Sequence, residues 1–553
     1  MAEEAAPSHL TGLSSTEDEG VKTASKTEDD EWNLTALFCI GLTANLGSFL
    51  FGYDFGATSW LLVNITSLAL ATTETSTGTN YYQVVVESSG LTGLIAAGAS
   101  IGALATYSVL LFSGNAILKK DEIMLSAFLF FVGALLESTS GAVGWTDGDA
   151  TGLALLICGR LVYGAGIASS FHAVPAYISE LGPKQLRGMV GSLTEALIVT
   201  GVVVGFLVGW LYEDLGWVVP FRVAYSIAIL MGLLALFLPH APSGMIRAGY
   251  SSEDVLESMR YIHPGATEVH VHELFARREE EKMEAQRWEK HFEHQSAVRS
   301  DVGSDESQAQ CCDPSLEVKV LFSDPIQQRC LLLALLLVVI QIGTGQGVIL
   351  YYSGTIFDEI CPDDYNSCLL GFGGVKLASA YLMVGVADML GRREFLIYGT
   401  FVMFLGMLLL TVGYAQEQLE LAVSGLYISV AGYEAGLGSF MWILLSEIFP
   451  RFTRSSANSI AVSVLFLCST ILTFTLPFFL AASGLVPIFS LFVVVSGLAV
   501  VLLFLYVPET GGVELEEAYK LVDERCRASG VCCLGDSGSP EDPVFDETSK
   551  HLL

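Results

Sequence analysis

Long apolar runs separated by short polar breaks dominate the sequence, and they predict its elements. They fall at roughly 34–64, 91–113, 123–140, 151–178, 188–212, 221–239, 329–356, 369–387, 395–413, 421–444, 457–479 and 485–507. Each is about long enough to cross a ~30 Å hydrocarbon core as a helix. A backbone in lipid must pair its amides within the segment, which leaves helices rather than open strands. Six runs lie on each side of a polar stretch at about 245–325, which carries charge runs such as Arg277-Arg278-Glu279-Glu280-Glu281-Lys282 and reads as a solvated linker with one or two helices. The expected fold is an all-α membrane protein of twelve transmembrane helices in two pseudo-symmetric six-helix halves. Its divisions are an acidic tail at 1–33, a first half at 34–240, a linker with short helices at 241–328, a second half at 329–508 and a second tail at 509–553.

Composition agrees, since 52% hydrophobic and only 16% charged residues are outside the range of a soluble globular domain. The net charge of −32 lies mostly outside the apolar runs, in the tails and the linker, where it marks solvated chain rather than chemistry. Basic residues set the orientation, because short loops rich in Lys and Arg stay cytoplasmic. No Lys or Arg occurs from Asn33 to Leu118; Lys119-Lys120 follow the second run, Lys184 and Arg187 the fourth, Arg392-Arg393 the eighth, and Arg451 and Arg454 the tenth. Both termini and the linker are therefore expected in the cytoplasm. The first 31 residues hold no basic, acid-poor transit peptide and no cleavable apolar region, so a plasma or vacuolar membrane is expected before a plastid envelope.

Cys39, Cys158, Cys330 and Cys468 fall in or at the ends of the expected helices, where cysteine is most often a small buried hydrophobe. Cys361 and Cys368 share a short loop placed outside, and either a local disulfide or two free thiols fits. The doublets Cys311-Cys312 and Cys532-Cys533 read as unmodified linker and tail cysteines, with palmitoylation as the alternative. Asn64-Ile65-Thr66 is a glycosylation sequon at the outer end of the first run.

An ionisable side chain at membrane depth costs several kcal/mol, so each one is a candidate for function. Asp54, in Gly52-Tyr53-Asp54-Phe55-Gly56, is the clearest, with Arg160 in the fourth run as its candidate partner. A carboxylate paired when charged and exposed in turn to either side can load and release a proton; a permanent structural ion pair is the competing reading. Glu195, Lys376 and Glu434 either hydrogen-bond a polyol or neutralise one another, and Lys376 alone would favour an anionic ligand. His172 is expected to be neutral and hydrogen-bonded, with a proton relay as the alternative. Gly164-Ala165-Gly166 has no preceding strand, so close helix packing explains it better than a dinucleotide loop. The linker histidines His270, His272, His291 and His294 show no metal-ligand spacing.

With these residues in view, the chain resembles the sugar porter family of the major facilitator superfamily over about 34–520. The likeness rests on Leu46-Gly47-Ser48-Phe49-Leu50-Phe51-Gly52-Tyr53-Asp54, on Gly159-Arg160 through Pro175-Ala176-Tyr177-Ile178-Ser179-Glu180 to Arg187-Gly188, and on Ala387-Asp388-Met389-Leu390-Gly391-Arg392-Arg393. It continues through Trp442, Ser446-Glu447-Ile448-Phe449-Pro450 and Arg454 to Pro508-Glu509-Thr510 with Leu515-Glu516-Glu517. Within the family, Gly345-Gln346, Tyr351-Tyr352 and Arg187 to Gly205 look most like plant and algal sugar–proton symporters of plastid and vacuole type.

The resemblance implies Asp54 and Arg160 as a proton-coupling pair, and Glu195, Gln341, Gln346, Tyr352, Lys376, Glu434, Trp442 and Ser469 as positions facing a sugar cavity. It implies Glu180, Arg187, Asp388, Arg392, Arg393, Glu447 and Arg454 as a cytoplasmic salt-bridge network. Three departures stand out. Glu195, Ile342, Gly347, Lys376 and Leu465 replace amides usual in the family. Asn115-Ala116-Ile117-Leu118-Lys119-Lys120 replaces an Asp-x-x-Gly-Arg-Arg string, which is expected to weaken one side of the network and shift the resting state inward, and Pro239-His240-Ala241-Pro242-Ser243-Gly244 replaces a Pro-Glu-Ser-Pro-Arg stretch.

The expected function is proton-coupled transport of a monosaccharide by alternating access, with a facilitative uniporter as runner-up and a non-transporting sensor third. An enzyme is not expected, since no nucleophile–base pair or phosphate loop stands in a suitable context. The expected partners are a small sugar, protons and the lipid bilayer, with no nucleic acid, no metal, no cofactor beyond the proton gradient, and a monomeric state.

Overall fold

The computed structural model describes residues 33–72, 80–113, 117–145, 149–181, 187–299, 314–362, 364–386, 391–450, 452–511 and 515–528. Eleven helices among them are long and apolar enough to cross a membrane, and Val219–Ala235, at 17 residues, supplies a shorter twelfth. The first six spans are Leu34–Thr72, broken at Asn45, then Ser89–Ser113, Lys119–Ser140, Thr151–Leu181, Arg187–Leu211 and Val219–Ala235. The second six begin with Pro325–Gly343, extended by Gln346–Tyr351 and Ser353–Ile360, and continue with Tyr365–Val386, Arg392–Ala415, Leu419–Glu447, Arg454–Ser483 and Leu485–Tyr506. No strand occurs among the described residues.

The chain folds this way because its apolar side chains face outward as well as inward. Phe128, Leu382, Leu491, Val494 and Val501 are each more than half exposed, which suits a lipid solvent and not water. Inward faces carry small residues that let backbones touch. A Cβ on Gly52 would stand 1.7 Å from the Ile198 carbonyl oxygen, and one on Gly201 2.0 Å from that of Phe49, which locks spans 1 and 5 together. Gly102 and Gly164 do the same for spans 2 and 4, so the Gly164 string is a packing surface.

Three irregularities position polar groups at membrane depth. In span 1 the Asn45 amide donates to the Gly41 carbonyl at 2.9 Å and its oxygen accepts from Thr194 at 2.9 Å. Span 7 breaks at Gly345, whose φ of +81° is left-handed and whose missing Cβ would lie 2.5 Å from the Phe492 ring. Span 10 widens into a π turn at Glu434–Gly438, a feature common where a helix must re-aim a functional side chain.

Several expectations change here. The linker holds more helix than the one or two helices expected: it forms Pro242–Ala248, Ser252–Ile262, Glu268–Arg299 and Pro314–Ser323. Arg247 pairs with Glu180 at 3.2 Å, and Ser456 donates to Glu317 at 2.5 Å, which fastens the linker to both halves. Burial lifts the Glu317 carboxyl above its ordinary range. The second tail likewise starts with a helix, Leu515–Ala528, docked through an Asp523–Arg329 ion pair. Cys39 and Cys158 are exposed rather than buried, and Cys361 and Cys368 form a disulfide. The span 1 helix runs past the sequon to Thr72, and Asn64 donates to the Trp60 carbonyl at 3.0 Å within it. The doublets 311–312 and 532–533 lie outside the described residues.

Asn33 bonds the linker carbonyl of Ile262 at 2.9 Å, which places the start of span 1 on the linker side. The opposite face is the far side.

Candidate functional site

Two buried constellations of charge lie within the spans. In the first, the Arg160 guanidinium, fully buried in span 4, grips the Asp54 carboxylate of span 1 through both terminal nitrogens, one at 3.1 Å, while its Nε donates to the Ile95 carbonyl at 3.1 Å. Asp54 itself is 2% exposed. The Thr58 hydroxyl approaches Asp54 at 3.5 Å, and the Tyr351 hydroxyl, from the short middle segment of span 7, donates to it at 3.4 Å. Asp54 thus touches both halves of the molecule. Glu137 of span 3 is the third charged member, 3.7 Å from Arg160.

The second constellation straddles the halves. Lys376 of span 8 forms an ion pair with Glu434 at the π turn of span 10, and its ammonium stands 5.0 Å from the Tyr433 ring centre. Gln341 of span 7 donates to the Tyr433 hydroxyl at 3.1 Å. Glu195 of span 5 meets the side chain of Trp442, whose ring tilts against Phe171 at 5.5 Å. Oε2 of Glu434 and Oε1 of Gln341 are buried without a hydrogen-bond partner. Buried acceptors of that kind cost about 1–3 kcal/mol each when left unmade. Ser469 of span 11 meets Ser100 of span 2 at 3.3 Å, across the halves.

Two of the expected cavity positions turn elsewhere. Tyr352 donates to the Thr473 carbonyl at 3.1 Å and lines a small cavity with Ile488, Phe489 and Phe492 inside the second half. The break at Gly345 rotates the following turn so that Tyr351, not Tyr352, faces span 1. Gln346 donates to Ser429 at 2.7 Å and ties span 7 to span 10.

On the linker side, Arg392 pairs with Glu447 at 3.2 Å, and Thr510 donates to the same carboxylate at 2.7 Å. The backbone amides of Arg392 and Arg393 bond Glu509 at 2.9 and 3.1 Å, an anion seated at a helix start. The Arg393 side chain leaves this group, donating to the Phe504 carbonyl at 3.0 Å and covering the Phe504 ring. Arg454 donates to the Phe449 carbonyl at 2.9 Å and Glu180 pairs with Arg247, so these two engage a corner and the linker respectively. The Arg187 side chain and Asp388 lie outside the described residues.

A third cluster sits at the start of span 3, where Glu122 pairs with Lys119 at 3.0 Å and with His172 at 2.5 Å, so His172 is hydrogen-bonded as expected. On the far side the halves are closed: the Ser59 and Ser353 hydroxyls meet at 2.9 Å, the Gly354 amide donates to Ser59 at 2.7 Å, and Trp60 stacks on Tyr365.

Glu137 and Tyr351 were not singled out from the sequence. Glu137 carried the same signal as Asp54, a carboxylate inside an apolar run, but it stands near the run's end, where a charge is ordinarily solvated.

Two six-helix sets closing on buried, cross-half charge define a polytopic transporter of the major facilitator fold. The family model described as "Sugar (and other) transporter" matches residues 40–521, and the chain belongs to that family. It is 32% identical over 499 residues to the Arabidopsis thaliana protein named D-xylose-proton symporter-like 3, chloroplastic, covering 85% of this chain and 80% of that one. It is 29% identical to the Arabidopsis D-xylose-proton symporter-like 2 over 88% of this chain and 91% of the relative, and 25% identical to a glucose transporter of Staphylococcus epidermidis over 89% and 98%. Among solved structures, the proton:xylose symporter XylE bound to 6-bromo-6-deoxy-D-glucose matches with a TM-score of 0.68 at 22% identity, covering 89% of this chain and all of that one. The inward-open form of XylE from E. coli matches with a TM-score of 0.66. These likenesses show the fold.

Proposed function

We propose that this protein carries a neutral monosaccharide across a membrane together with a proton, by alternating access. The observation that carries the reading is the Asp54–Arg160 pair, sealed from water and linked through Tyr351 to the opposite half. A proton on Asp54 removes the charge that holds Arg160 and alters the Tyr351 contact in the same event, so proton loading and movement of the halves are one step. The relatives named as xylose–proton symporters support this coupling.

The sugar site is the Lys376–Glu434–Glu195 group with Gln341, Trp442 and Ser469. Pairing with Glu434 supports a neutral substrate, because it removes the free positive charge that an anionic sugar would need. Sugar hydroxyls supply donors to Glu434, Glu195 and Gln341. Arg392, Glu447 and Glu509 brace the linker side of the second half while the far side stays closed through Ser59 and Ser353, which fits the inward shift expected from the altered string before Lys119.

With the linker in the cytoplasm, as the basic loops imply, both termini are cytoplasmic. The protein works as a monomer and without a cofactor. A plasma or vacuolar membrane remains the proposed location, with the plastid envelope as the alternative raised by the chloroplastic relative; imaging a tagged chain decides between them.

The test is uptake of labelled hexoses, pentoses and hexuronates into proteoliposomes with and without an inward proton gradient. Accumulation of one neutral sugar driven by the gradient, lost in Asp54→Asn while exchange persists, supports symport. The complete enclosure of Asp54 and Arg160 favours a second reading, a static ion pair in a uniporter, and equilibration that ignores the gradient would establish it.

A further inference from the structure

We propose that Glu137 is a second carboxylate of the proton-coupling site, to which Arg160 passes when Asp54 takes up its proton; this rests on the symport reading above. Glu137 is 0% exposed, stands 3.7 Å from Arg160, and neither of its oxygens has a hydrogen-bond partner. A carboxylate kept for structure is ordinarily held by several N–H or O–H donors. Among the described residues the only charge compensation within reach is Arg160, whose nearer bonds all go to Asp54 and the Ile95 carbonyl.

Among the described residues the surroundings offer no other partner. Tyr163, which also faces the group from span 4, donates to the Leu50 carbonyl at 2.9 Å. Ser140, one turn along span 3, donates to the backbone carbonyl of Glu137 at 2.6 Å rather than to its carboxylate. Span 6, which packs along span 3, offers Arg222, which is exposed, and Tyr225, whose ring lies against Phe131. Two carboxyls and one guanidinium therefore share one dry compartment, beside the Tyr163 and Tyr351 hydroxyls.

That ratio solves a problem posed by a two-residue pair. If Asp54 alone faced Arg160, its protonation would leave a buried guanidinium without a counter-ion, and breaking a buried pair by removing one partner is strongly unfavourable. With Glu137 present, the proton that arrives from the cavity bonds to an Asp54 oxygen, the Arg160 N–H bonds to Asp54 break, and the guanidinium turns to the Glu137 carboxylate. The loaded site then holds one proton, one carboxylate and one guanidinium and is neutral. Release of the proton from Asp54 towards the other side reverses the transfer. Glu137 stands nearly at the far end of span 3, so Arg160 turning towards it withdraws from the cavity-facing pair without leaving the compartment.

The experiment compares wild type with Glu137→Gln and Glu137→Asp in proteoliposomes, measuring gradient-driven uptake of the transported sugar as a function of pH and, in the same preparations, sugar exchange without a gradient. Glu137→Gln is expected to move the uptake mid-point about one pH unit or more to the acid side and to lower accumulation about tenfold. Glu137→Asp retains the charge and falls between. A pH profile and accumulation ratio unchanged in Glu137→Gln would overturn the proposal, as would equal changes in both variants, which would point to packing alone. A melting point and a monodisperse elution in detergent like those of wild type are the folding control, and the Asp variant carries the test if the Gln variant does not insert. Failure of wild type to accumulate sugar would instead remove the symport reading itself.

Discussion

Replacing Glu434 by Gln should convert this transporter from neutral sugars towards sugar acids. In the structure Lys376 is 2% and Glu434 0% exposed, and they form an ion pair beside Tyr433. Glutamine keeps the size and one carbonyl acceptor but leaves the lysine charge without its direct partner. A substrate carboxylate about 4 Å from that ammonium, at an effective dielectric of about 20, gains about 4 kcal/mol. Roughly half of this is returned as the desolvation cost of the substrate anion, so the net gain is about 2 kcal/mol, or roughly thirtyfold in the preference for a hexuronate over the matching hexose. Glu195 is the other carboxyl close to Lys376, and where ionised it would absorb part of the gain. The double variant Glu195→Gln/Glu434→Gln should therefore shift further than the single one. Competition between labelled hexose and hexuronate uptake in proteoliposomes measures the ratio directly. A ratio that stays within about threefold of wild type in the double variant, with exchange intact, would refute the claim that Glu434 neutralises Lys376 for substrate selection.

Tyr351→Phe removes the only side-chain bond described between Asp54 and the second half. At about 1 kcal/mol for such a bond, gradient-driven uptake should fall about fivefold with KM little changed, and kinetics at fixed pH check it. Tyr352→Phe should instead lower thermal stability, because its partner is the Thr473 carbonyl within the second half. Gly345→Ala places a side chain at a φ of +81° and against the Phe492 ring, so a loss of at least about 1–3 kcal/mol is expected, seen as a lower melting point in detergent; an unchanged melting point would count against the account of the span 7 break.

The sequence revealed some of this readily and some not at all, and the division has a physical cause. Spans were legible because lipid imposes one local rule, an apolar run of fixed length, and the rule needs no knowledge of neighbours. Asp54, Arg160, Lys376 and Glu434 were legible because charge inside such a run breaks that rule. Which charges meet was less so. Tyr351 and Tyr352 are adjacent, and only the left-handed turn at Gly345 decides which faces span 1. Gln346 was expected at the cavity for its amide, yet it donates to Ser429 of span 10. The linker was only partly legible, because its docking rests on distant contacts, such as Glu317 with Ser456 and Arg247 with Glu180, that no local pattern shows.

The two buried constellations share a ratio that bears on coupling. Asp54 and Glu137 face Arg160; Glu434 and Glu195 face Lys376. In each, two carboxyls share one cation, and a carboxylate without a partner is costly in a dry interior. A proton can satisfy the excess in the first. In the second the excess can be met by hydroxyl donors, and Oε2 of Glu434 and Oε1 of Gln341 are the buried oxygens left without a partner. A transporter left with neither ligand carries both deficits, and one with a single ligand still carries one of them. Filling both sites removes both penalties before the halves rearrange, which favours movement of proton and sugar together over movement of either alone.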